Sequence, residues 1–274
     1  MDTCEEKEEQ AMNNSTNQDK HDSHIQMPKC ALKQFEDVHH KFYYFDVEKG
    51  IIGTNGHAGS TNTEENYFSL NIEQFFSSNF EKPYSDLFEQ VREISYDPPQ
   101  GHIDDTFDYV AKRFVYALLS RNPGNIEERF GNPILREYAT EQELHDLGVV
   151  TALAAEVQRD FLKDYGTTVI VNSTEVPFVL PTCGIYQVII HGFNHVILPV
   201  SPEKAVAFIE EKGKSRVISD GIVRVYSITQ EKDITVFNNT AFSTQTEYGF
   251  GFVVSPRKEP LEIAKRVILD SGKK

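Results

Sequence analysis

Basic residues are scarce in this chain. Lys and Arg number 27 against 42 Asp and Glu, a net charge of −15, and that balance excludes the broad electrostatic grip on duplex nucleic acid that a basic face supplies. Any nucleic-acid contact is left to a local basic pocket. Cysteine is scarcer still: Cys4, Cys30 and Cys183 stand far apart and form no CxxC, which excludes a disulfide scaffold and a zinc knuckle and fits a reducing cytoplasm. The Asn-x-Ser/Thr triplets at Asn172 and Asn238 then carry no glycosylation meaning. No apolar run reaches the roughly 18 residues of a membrane span, and the N-terminus is acidic and polar rather than a secretory signal. A cytoplasmic protein with no membrane partner is expected. The nucleotide-binding fingerprints GxGxxG and GxxxxGK(S/T) are both missing, and there is no internal repeat.

What is present suffices for one sizeable core, since 39% of the 274 residues are hydrophobic. Residues 1–23 stand apart. They carry Asp2, Glu5, Glu6, Glu8, Glu9, Asp19 and Asp22 against Lys7 and Lys20, with no aromatic residue, so they are predicted to form a disordered acidic tail. Residues 24–274 are predicted to form a single α+β domain.

Within that domain, Lys41 to Val47 is rich in aromatic strand formers and Glu48-Lys49-Gly50 supplies a turn before Ile51-Ile52, which predicts a hairpin. Gly53 to Thr63 reads as loop. Tyr84, Leu87, Phe88, Val91 and Ile94 recur at helical spacing up to Pro98-Pro99. Phe107, Val110, Phe114, Ala117 and Leu118 mark a second helix, stopped by Pro123-Gly124. Thr140 and Glu143 form a capping box before Leu144, Leu147, Val150, Ala154, Val157 and Phe161, a predicted core stripe on a helix reaching Gly166. From Thr167 the pattern turns to short apolar runs, at 168–172, 176–180, 185–191 and 195–200. Ser201-Pro202 is predicted to start a helix ended by Gly213, Asp220-Gly221 to turn a hairpin, 233–237 to add a strand and 259–270 to close the chain as a helix. Strands, helices, strands and a helix in that order, rather than alternating βαβ, predict α+β with a mixed or antiparallel sheet and a helical layer from the middle of the chain.

Several residues have chemistry to offer. His24, just ahead of the rigid Pro28 and the apolar Leu32 and Phe35, is a candidate general acid/base or metal ligand, or else it caps the N-terminal strand or stands exposed at the edge of the acidic tail. His39-His40 alternate on strand geometry and read as surface. His191 and His195 flank Gly192-Phe193-Asn194, where a tight turn could bring two imidazoles to one metal but no third ligand is in view, so the pair reads as exposed histidines at a hairpin end. His102, Asp104 and Asp105 read as helix capping. Arg121 falls on an apolar stripe, where a guanidinium needs a carboxylate or carbonyl partner; Glu65 and Glu81 are the candidates. It is either a structural pair or an anchor for a phosphate or carboxylate ligand. Ser201 reads as a cap and Cys183 as packed.

Residues 24–35 read His24-Ile-Gln-Met-Pro28-Lys-Cys-Ala-Leu32-Lys-Gln-Phe35. This resembles the opening His-His-x-x-Pro-(Gln/Lys)-x-Tyr-Leu-(Arg/Lys)-Asn-Phe of the bacterial domain-of-unknown-function family 4238. Glu65-Asn66-Tyr67-Phe68, Arg121-Asn122-Pro123, Pro177 to Ile185, Leu198 to Pro202 and Asn238 look like later family motifs in matching order. Two positions depart: Ile25 replaces the second histidine, and Pro181-Thr182-Cys183-Gly184 replaces Ser-Asp-Asn-Pro. The resemblance implies an uncharacterised protein of bacterial or phage conflict and antiviral defence, a hydrolase-like effector acting on nucleic acid or a nucleotide held in a local pocket. His24 and Glu65 would then be catalytic and Arg121 and Asn238 would bind. It implies no metal set and names no cofactor. The departures point to the alternative, a binding or sensor module without chemistry.

Overall fold

A computed structural model describes residues 21–96, 99–100, 106–130, 136–190, 192–210 and 225–271. Strand β1 (Asp22–His24) pairs antiparallel with β4 (Thr63–Glu65) as a short ribbon. Between them lie α1 (Lys29–Leu32), which tightens into a 3₁₀ turn (Lys33–Phe35), and the expected hairpin of β2 (Phe42–Asp46) and β3 (Ile51–Gly56). The hairpin needs its glycines. Gly50 turns it at φ +65°, and a Cβ on Gly53 would sit 2.2 Å from the Tyr44 ring. The supposed loop from Gly53 is therefore strand as far as Gly56.

The helical layer is α2 (Leu70–Phe76), a π turn (Ser77–Glu81), α3 (Lys82–Glu93), α4 (Phe107–Ser120), α5 (Pro123–Phe130) and α6 (Glu141–Arg159). The predicted stripe of α3 is buried at Tyr84, Leu87, Phe88, Val91 and Ile94. Tyr84 stacks on Phe114 of α4 at 3.5 Å. Helix α3 ends at Glu93, before the prolines, and gives way to a two-residue ribbon, β5 (Ser95–Tyr96) with β6 (Pro99–Gln100).

Two sheets carry the rest. β7 (Tyr165–Asn172), β9 (Tyr186–Ile190), β10 (Phe193–Pro199), β11 (Lys204–Glu210) and β12 (Val225–Ile228) form a five-stranded sheet ordered β12-β7-β11-β10-β9, antiparallel except where β12 joins β7 in parallel. β8 (Leu180–Pro181) and β13 (Phe252–Ser255) complete an antiparallel sheet ordered β3-β2-β13-β8. Helices α7 (Glu231–Tyr248) and α8 (Lys258–Ser271) pack on each other and on the four-stranded sheet. The fold is α+β with mixed and antiparallel sheets, as predicted.

Further expectations are overturned. The helix predicted from Ser201 is instead strand β11, because Ala205, Val206, Ala207 and Phe208 are all fully buried between β10 and β7; a continuous apolar run buried on both faces suits a central strand. The strand predicted at 233–237 is the start of α7. Glu231 and Asp233 favour a helix N-terminus, and Ile234, Phe237, Asn238, Ala241, Phe242 and Gln245 form its buried stripe. In α6 the capping box forms as expected, but the helix ends at Arg159 with Asp160 in the left-handed region, short of Gly166. Its buried face is Leu144, Gly148, Val149, Ala152 and Leu153, while Leu147, Val150 and Val157 are about half exposed and Ala154 faces solvent. Small Gly148 and Ala152 let α6 lie against α4 and α5, so close approach chose the face over side-chain size. Finally, Asp22 and Ser23, assigned to the acidic tail, belong to β1. Ser23 is fully buried, and its hydroxyl accepts from the Phe68 amide at 3.2 Å. Residues 1–20, His102, Asp104, Asp105, His191 and the 220–221 turn lie outside the described residues.

The face assignment of α6 makes an expected outcome. Leu147→Asp should shift stability by no more than about 1 kcal/mol, whereas Val149→Asp should unfold the protein because an unpaired carboxylate is then buried. Urea melts of both variants check this. Equal losses would return the core to the Leu147 side.

Candidate functional site

Arg121 caps the C-terminal end of α4 and is 2% exposed, the most deeply buried charge among the described residues. Its Nη1 donates to Glu81 Oε1 at 3.0 Å. Its Nη2 donates to Glu73 Oε1 at 3.2 Å and, in a short contact, to the His24 carbonyl. The guanidinium lies over the faces of Phe68 and Phe76, 5.4 and 5.1 Å from the ring centres. Its Nε is buried with no hydrogen-bond partner among the described residues.

Local geometry explains how two carboxylates reach one guanidinium. Along a regular helix of 3.6 residues per turn, side chains eight apart diverge by roughly 80°. The π turn at Ser77–Glu81 holds more residues per turn, so each residue rotates less; this takes up that difference and turns Glu81 toward the side of Glu73. Of the two partners expected from sequence, Glu81 serves and Glu65 does not. Glu65 lies on β4 opposite Asp22, and Glu73 takes the second place. Burial raises the pKa of Glu81, and Glu73 adds to this, while Arg121 opposes it.

His24 ends β1 beside this hub. Its Nε2 lies 2.7 Å from the Ala58 carbonyl, so the neutral ring carries its proton there. Burial is the main cause that lowers its pKa below the ordinary 6.5, with Arg121 and Lys29 assisting. The site expected from the resemblance is thus half assembled. His24 and Arg121 meet; Glu65 sits two residues along β4 from Thr63, the register partner of His24. Asn238 is elsewhere, on α7, where its amide accepts from Val179 N at 3.0 Å and donates to Pro177 O at 2.8 Å. Both of its contacts pin the strap before β8.

The other candidates resolve into structure. The Pro181–Gly184 turn is knotted: Thr182 Oγ1 accepts from Phe252 N and donates to Gln26 Oε1, and Cys183 N donates to Gln245 Oε1. Burial pushes the Cys183 thiol up to about 12 and the Cys30 thiol to about 11, far from nucleophilic use. His40 is exposed near Glu36. His195 bonds through Nδ1 to the Phe193 carbonyl. The Ser201 hydroxyl accepts from Glu203 N in the turn before β11. Among the described residues no group of three or more His, Cys, Asp or Glu is placed to hold a metal ion, and no helix is long and apolar enough to cross a membrane.

Among the clefts between described residues are three of about 310, 460 and 470 Å³. The largest of these three lies by Phe88, Arg92 and Lys204, the next by Arg159, Phe161 and Tyr248. The smallest contains a residue that sequence reasoning passed over, His145, on the second turn of α6. Its Nδ1 lies 3.0 Å from the Tyr67 carbonyl and its ring stacks on Tyr67 at 4.0 Å. Gln142 and Asp146 bond the same 66–69 loop. Three hydrogen-bonding side chains within five residues of a helix otherwise rich in apolar positions were the available signal. Comparison of the chain with protein-family models, with curated proteins and with solved structures gave no match in any of the three.

The hub makes the stability pH-dependent with a definite sign. The folded protein resists protonation of His24, whereas the unfolded chain takes the proton near 6.5, so stability should fall as pH drops through that value. Glu81 acts oppositely: its folded value is raised above 4.5, so acidification from that raised value toward 4.5 relieves its burial. His24→Gln keeps a donor for the Ala58 carbonyl and cannot titrate. Urea melts at pH 7.5 and 5.5 should show a smaller acid-induced loss in this variant; an unchanged loss would contradict the burial of a neutral His24.

Proposed function

We propose that this protein is a non-catalytic binding or sensor module. One observation carries the choice over a hydrolase-like effector on nucleic acid or nucleotide: the groups that such chemistry would use are spent inside the protein. Both Nη atoms of Arg121 are bonded to Glu73, Glu81 and the His24 carbonyl, and His24 bonds Ala58. Three clefts between described residues are lined by other residues, and their volumes fall in the range of small-molecule sites. The acidic balance of the chain also disfavours a polyanionic substrate. On the resemblance to family 4238 alone, the module works in bacterial conflict with phage. A cytoplasmic setting accords with the free Cys30 and Cys183 thiols.

The purified full chain is expected to turn over neither a single-stranded RNA oligomer nor a nucleoside triphosphate above the buffer blank, with His24→Ala behaving like the wild type. Turnover that disappears in His24→Ala would restore the hydrolase.

A further inference from the structure

We propose that the 310 Å³ cavity where α5 meets the start of α6 is a binding site for a small zwitterion of the α-amino-acid class with an apolar side chain. The inference rests on the binding-module reading and names its ligand.

The central group is His145. A carbonyl only accepts, so the 3.0 Å contact with Tyr67 O makes Nδ1 the donor and leaves the Nε2 lone pair of the neutral ring free. No described residue bonds Nε2, and the nitrogen is not sealed from solvent. The stacked Tyr67 ring and the Nδ1 contact fix the direction of that lone pair. An acceptor held in place at a cavity wall calls for a ligand N–H.

Charge on the rest of the wall refines the choice. Glu127 of α5 and Glu141 at the first position of α6 line the cavity, and Arg136 lines it as well. None of these three forms an ion pair with another described residue. The two carboxylates and Nε2 suit an ammonium, and Arg136 suits a carboxylate. The buried Ile126 and Leu144 give the floor an apolar surface. A ligand with an ammonium, a carboxylate and an aliphatic side chain matches all of these groups, whereas a plain amine leaves Arg136 unanswered. The cavity lies at the small end of ligand sites, which also suits a single amino acid.

Calorimetric titration of the full chain with L-leucine tests this, with isoamylamine and 4-methylpentanoate as its two halves. Saturable leucine binding is expected, with each half at least about tenfold weaker, a difference of about 1.4 kcal/mol. Arg136→Gln, at an exposed position, should weaken leucine about tenfold with an unchanged melting temperature. His145→Phe, which keeps an aromatic ring against Tyr67 but removes Nε2 and with it the Nδ1 bond to the Tyr67 carbonyl, should weaken leucine to a similar extent with some loss of melting temperature. Silence with leucine at 10-millimolar order, or isoamylamine binding as tightly as leucine, would overturn the assignment. The binding-module reading itself fails only on turnover of the RNA or nucleotide, so the two failures are distinct.

Discussion

A single buried guanidinium holds the N-terminal segment to the helical layer. Arg121 reaches a carbonyl 97 residues away in sequence and carboxylates 48 and 40 residues away. It therefore joins β1, the α2–π–α3 run and the end of α4 at one point. The surroundings meet the demands of a buried charge in three ways. Two carboxylates neutralise it, a carbonyl takes a further N–H, and the Phe68 and Phe76 faces line its planar sides. The raised pKa of Glu81 and the lowered pKa of His24 are both marks of the same burial. The π turn is part of this device, since it aligns Glu73 and Glu81 where a regular helix would part them.

A second set of polar clamps fixes the segments around β8, and amide side chains supply it. Asn238 and Gln245, seven residues apart on α7, hold the strap before β8 and the turn after it. Gly251 allows this packing: a Cβ there would lie 2.6 Å from both Gln26 Oε1 and Thr182 Oγ1. The Pro181–Gly184 turn thus keeps its shape through Thr182 and Cys183 main-chain contacts, without the Asp-Asn pair of the family motif that it resembles. Asn238 likewise bonds the main chain beside it, at Pro177 and Val179.

Much of this was readable from pattern. The stripes of α3 and α4, the capping box of α6 and the β2–β3 hairpin follow from periodicity and turn chemistry, because local rules and tertiary packing agree there. Arg121 was recognisable as a charge needing a partner, and Glu81 was named as one. The rest depended on facts outside local sequence. The π turn that brings in Glu73 leaves no mark in apolar spacing. Ala205 to Phe208 has the same letters as a helix face and becomes strand only because two neighbours cover it. The buried side of α6 was decided by how closely Gly148 and Ala152 let other helices approach, and Leu147 and Val157 were left outside. His145 became notable only once the fold set Tyr67 against it and opened a cavity beside it.

The central claim is that Arg121 stabilises the fold by answering Glu73 and Glu81. A stability cycle measures this most directly, by comparing Arg121→Met in the native background with the same change in a Glu73→Gln/Glu81→Gln background. With the carboxylates present, loss of the guanidinium strands two acids near the core and should cost about 3–5 kcal/mol. With both acids neutralised, the same substitution should cost less than half as much. Equal costs in the two backgrounds, or an Arg121→Met protein as stable as the wild type, would contradict the account.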